Sequence, residues 1–90
     1  MPTIPHLTAL NICRKNFDGL NGTHCAIGWI TIVFSNPIKS IMARAHLMRA
    51  IKRESIVNWN DDPKTPKKAI AAALNATFAA LGVAQEPARA

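Results

Sequence analysis

The side chains able to do chemistry are few and widely spaced. His24 and Cys25 are adjacent, with His6, Cys13 and His46 elsewhere in the chain. Structural zinc sites carry paired ligands at short fixed spacing. No such pairing is present, so no metal is expected. Cys25 with His24 or His46 would make a thiol nucleophile only beside a positioned base, in an accessible electropositive setting. Cys25 instead lies in an apolar run, where cysteine behaves as a small buried residue, and His24 reads as a polar first-turn residue. Asp61 and Asp62 stand in Asn60-Asp61-Asp62-Pro63, a loop that uses carboxylates for turn and capping bonds. No further acid is near enough in sequence to complete a cation site. The four glycines are scattered, without a phosphate-cradling loop. The expectation is a chain with no catalytic residue, no cofactor and no enzymatic activity.

The remaining chemical feature is positive charge. Five of the eleven basic residues, Lys39, Arg44, Arg49, Lys52 and Arg53, fall between Asn36 and Arg53. At 100° per residue Lys39, His46, Arg49 and Arg53 project from one side of a helix, within about 80°. With Arg44 they form the candidate binding face. That face suits phosphates or an acidic protein surface, or is simply solvated. A helix-turn-helix would make Asn36-Pro37 the turn and Lys39, Ser40 and Arg44 the readers. The turn lacks the usual Gly, and the preceding element is too apolar to lie over a DNA backbone.

The element that must organise the rest is Thr23 to Phe34, the most apolar run in the chain. Its residues favour strands, yet a strand needs a partner to satisfy its backbone. The one candidate is Leu10 to Phe17, joined through Asp18-Gly19-Leu20-Asn21-Gly22. The helical reading has Thr23 as N-cap and stops at Ser35-Asn36-Pro37, giving a central helix covered by its neighbours. The fold expected is all-α, a small bundle of about four helices, with a β-hairpin followed by two helices as the alternative. A first helix spans Thr3 to about Lys15, with Leu7, Leu10, Cys13 and Phe17 facing the core. Asn36 caps a helix with Pro37 at its first position, running to about Arg53, with Ile41, Leu47, Met48 and Ile51 on its apolar side. Arg44 and Lys52 interrupt that side. Glu54 to Trp59 is a short turn or helix anchored by Ile56, Val57 and Trp59. Thr65-Pro66 starts a last helix that ends near Leu81, with Gly82 as its left-handed stop. Ile70, Leu74, Phe78 and Leu81 form its large-residue stripe. Ala69, Ala72, Ala73, Ala76 and Ala80 are expected to pack inside the molecule, or else to form a dimer seam.

Ninety residues make one domain, residues 1–90, with a frayed tail at 84–90 and a radius of gyration of about 12 Å. No apolar run reaches the roughly 20 residues of a membrane span, and Met1 to Pro5 lacks the features of a secretory signal. A cytoplasmic location without membrane contact is expected, and Cys13 and Cys25 are then thiols sooner than a disulfide. The sequons at Asn21 and Asn75 carry no meaning in that compartment. The net charge of +6 favours acidic partners.

Two segments together show a likeness. His24-Cys25-Ala26-Ile27-Gly28-Trp29 resembles the C-x-x-G segment of small bacterial and phage proteins of unknown function. There a helix reading roughly Trp-Cys-x-x-Gly-Ala-Leu is followed by Trp-Asn-Asp, and a final helix begins at a Thr. The matching residues are Cys25, Gly28, Trp59, Asn60, Asp61 and Thr65, across about Thr23 to Leu81. His24 stands where the pattern has Trp, Trp29 where it has a small residue, and the N-terminal segment does not match. The resemblance implies a helical fold and a phage or mobile-element origin. Very small phage-type domains usually act by binding. The expected function is stoichiometric inhibition of a host protein or ribonucleoprotein defence complex, an anti-CRISPR-like role. The alternative is a small basic DNA- or RNA-binding regulator, and a homodimer is left open.

Overall fold

The structure, a computed structural model, describes residues 3–14 and 23–87. Its N-terminal segment is extended where a helix was expected. A single 3-10 turn at Ala9–Asn11 is capped by Thr8, and the rest is held by long-range bonds. Asn75 accepts from the Leu7 N–H and donates to the Leu7 carbonyl, both at 2.9 Å. Ile4 pairs with Gln85 in a single parallel bridge. Its N–H donates to Ala84, and its carbonyl accepts from Glu86. Residues 84–86, placed in the frayed tail from the sequence, are therefore tied to the N-terminal segment. Leu7, Ile12 and Cys13 are buried, whereas Leu10 is 85% exposed. The expected partners Lys15 and Phe17 lie outside the described residues.

Helix α1, Ala26–Val33, begins later than Thr23. A second isolated bridge, Ile12 with His24, holds residues before it extended, so the cap passes to Cys25, whose Sγ accepts from the Gly28 N–H at 3.4 Å. The two segments of the hairpin alternative do meet at this bridge, but in parallel and at one residue pair. Among the described residues there is no β-strand, and the bundle is all-α. α1 ends at Phe34, before Ser35-Asn36-Pro37.

Helix α2, Pro37–Ile51, starts where the Asn-Pro signal places it. The Asn36 side chain accepts from the Ile38 and Lys39 N–H groups. Lys52 ends the helix in the left-handed conformation, at φ 58°, so Arg53 lies beyond it. Helix α3 is Ile56–Asp61, capped by Ser55. Helix α4, Lys67–Ala80, has Pro66 at the cap position and no side-chain cap. Thr65, expected to cap it, is buried, and its carbonyl accepts from Arg14. Gly82, at φ +78°, supplies the stop. Its N–H reaches the Ala79 carbonyl while Val83 reaches Phe78, the paired bonds of a Schellman ending.

α1 packs against α2, α3 and α4, while α4 packs against α2 and the N-terminal turn. Ile30, Leu47, Ile70, Leu74 and Phe78 are fully buried between them. α1 is central without being covered on every side, since Thr31 and Ile32 are exposed. The radius of gyration is 12.0 Å.

Candidate functional site

The residues that sequence reasoning offered for catalysis or metal binding hold the fold together. Cys25 caps α1, and the His24 ring meets Trp29 edge-on at 4.8 Å. Asp62 accepts from the Lys64 N–H, and Asp61 from Asn60. Asn60 is buried, accepting from the Ala26 N–H at 2.9 Å and donating to the Cys13 carbonyl at 3.0 Å. Arg14 donates to the carbonyls of Asn60, Asp62 and Thr65, placing a cation at the end of α3 where the helix dipole favours one. Cys13 is buried, and burial, with Cys25 second, pushes its thiol above its ordinary value. Among the described residues no three His, Cys, Asp or Glu side chains gather as a metal site would require.

The basic face does not assemble as the helical spacing predicted. Lys39 and Arg49 are exposed on α2. His46 turns toward α4, its Nδ1 3.4 Å from the Thr77 hydroxyl. Arg44 is half-buried, and its Nε is enclosed without a partner among the described residues. Arg53, carried off the helix by the left-handed Lys52, pairs with Asp62 at 3.7 Å. Ser40, one of the supposed base readers, is buried.

What α2 presents to solvent instead is apolar. Its buried face is made of Ser40, Ala43 and Leu47. On its outer face Ile38 is 70% exposed, Ile41 65% and Met42 51%. These positions, with Ala45, recur at i, i+3, i+4 and i+7, the spacing of one helical stripe, and Arg49 continues it one turn later. Ile41, assigned to the core from the sequence, belongs to this outer stripe. The core contacts of α2 are made by Leu47, with Met48 and Ile51 packed at its edge. An exposed apolar stripe with a basic end is the surface feature that sequence periodicity missed. The signal available was a helix whose apolar residues were too many for one face.

Beside this stripe a groove of about 550 Å³ runs between the end of α1, the start of α2 and the C-terminal segment. Trp29, Ile32 and Phe34 line it together with Leu81, Val83, Lys39 and Ile4 of the N-terminal segment. Comparison of the chain with protein-family models, curated proteins and solved structures finds no match.

Proposed function

We propose that this protein works by stoichiometric binding of a protein partner, through the outer face of α2. The observation that carries the reading is the stripe of Ile38, Ile41 and Met42, exposed on the longest helix. A protein interface places apolar anchors at its centre, where they are desolvated, and charge at its rim. A phosphate-binding helix would put its basic residues at the centre of contact. Here the centre is apolar. Arg49 and Lys52 lie toward the C-terminal end of the stripe, which favours a partner with an acidic edge.

The sharper form of the proposal is an inhibitor of a host defence ribonucleoprotein, anti-CRISPR-like in being small and acting without catalysis. Its support is that Cys25, His24, Asp61 and Asp62 have structural contacts in the described fold. The competing reading, a regulator that binds bare DNA or RNA, draws on the charge of +6. Salt titrations against random-sequence duplex and single strand separate the two. The protein-binding reading predicts feeble binding already lost at moderate salt. Tight binding that falls linearly on a log–log salt plot, and is abolished in Arg49→Glu/Lys52→Glu with the fold intact, would establish the nucleic-acid reading.

A further inference from the structure

We infer that the groove beside α2 is a binding site for a small amphiphilic carboxylate, an apolar chain ending in one carboxylate, with Lys39 as its counter-ion. The groove volume of about 550 Å³ falls in the range of small-ligand sites, roughly 300–1,000 Å³, which are mostly apolar with a few placed polar groups. Its lining is mostly apolar, with Ile4, Trp29, Ile32, Phe34, Leu81 and Val83. Ile32 remains 55% exposed, so a bound chain has apolar surface to cover. The polar residues are segregated. Ser35, Asn36 and Lys39 line the end where α1 stops and α2 starts.

Among the described lining residues Lys39 is the only charged one. It stands in the first turn of α2, where the helix dipole adds to the positive potential. Polarity thus runs from apolar walls to one cationic end, the complement of a tail with a single anionic head. A single lysine brings one positive charge to the groove, which the one negative charge of a carboxylate balances. A monocarboxylate is therefore the head group that fits. The inference stands apart from the docking proposal, because none of Ile38, Ile41 and Met42 lines the groove.

The test uses the full chain and straight-chain carboxylates, hexanoate to decanoate, below their micelle-forming concentrations. The readout is the indole N–H resonances of Trp29, which lines the groove, and Trp59, which does not. The expected result is a saturable shift of Trp29 with Trp59 unmoved. Affinity should rise about three- to fourfold per added methylene, as burial of each CH₂ predicts, until the groove is filled. Lys39→Glu should weaken decanoate by about tenfold or more, equivalent to about 1.4 kcal/mol, and should admit decyltrimethylammonium, which the wild-type protein refuses. Ile32→Asp, an exposed change that the fold tolerates, should abolish binding of the chain. Three results would overturn the inference: no saturable shift at millimolar ligand, affinity unchanged by Lys39→Glu, or shifts centred on Ile38, Ile41 and Met42 in place of the groove.

Discussion

Two asparagines do in this fold what a neighbouring strand would do in a sheet. Asn60 holds the Ala26 N–H and the Cys13 carbonyl, and Asn75 holds both backbone groups of Leu7. A buried backbone group without a partner costs about 1–3 kcal/mol. Asn60→Ala removes both of its long-range bonds, so urea melts should show a loss of about 2–5 kcal/mol. Asn60→Asp should be nearly as damaging, because a carboxylate cannot donate to the Cys13 carbonyl. Melting of either variant like wild type would remove Asn60 from this role. Cys13 gives a second residue-scale prediction. Burial raises its pKa in the folded protein, so the unfolded thiol loses its proton first as pH rises. The stability tied to the neutral thiol is therefore complete below about pH 8.5 and is lost as pH climbs through the folded value. Paired urea melts between about pH 8 and pH 10 should show wild type losing more stability than Cys13→Ala. Equal losses would mean that the thiol ionises as readily inside the fold as outside it.

Helix ends were the most legible features of the chain. Asn36-Pro37 and Gly82 announce a start and a stop by local chemistry alone, and both appear where they were read. Trp59 was expected in the core because a large aromatic beside a turn is an anchor, and it is 8% exposed. The N-terminal segment was not legible, because its backbone is satisfied by Asn75, 68 residues away, and helical spacing of Leu7, Leu10 and Cys13 carries no record of such a partner. The outer stripe of α2 was misread for a different reason. Large apolar side chains were taken as the core side, while the small Ser40 and Ala43 are buried beside Leu47. Ala69, Ala72, Ala76 and Ala80 of α4, expected to pack inside, face solvent. Ala76→Glu should accordingly fold and melt within about 0.5 kcal/mol of wild type, whereas a loss of several kcal/mol would mean that this face is covered. The two left-handed positions make a matched pair. Lys52 adopts φ 58° with a side chain and Gly82 adopts φ 78° without one. Lys52→Gly should stabilise by about 1 kcal/mol and Gly82→Ala should destabilise by about as much, since a Cβ in this region costs about 1–2 kcal/mol. Thermal melts of both variants check the sign in each direction.

At the scale of the whole molecule, the extents of 33 × 30 × 23 Å leave room for one small core, which all four helices and the N-terminal segment share. No helix among the described residues is long and apolar enough to cross a membrane. The surface combines a charge of +6 with the outward apolar residues of α2. Charge of this size steers acidic partners from a distance and is screened by salt. The apolar stripe acts only on contact and holds once water is expelled. The most direct test of the docking account is capture from nuclease-treated cell lysate at low and high salt, followed by affinity measurement on the purified captured partner. It compares wild type with Ile41→Glu/Met42→Glu and with Arg49→Glu. The account predicts a partner that survives both nuclease and high salt. Its affinity should fall about 100-fold or more when the stripe is charged, as loss of hot-spot residues worth at least about 2 kcal/mol each requires. Arg49→Glu should slow association while leaving the dissociation rate nearly unchanged. Undiminished affinity in the folded Ile41→Glu/Met42→Glu variant, or capture that is lost at high salt, would contradict it.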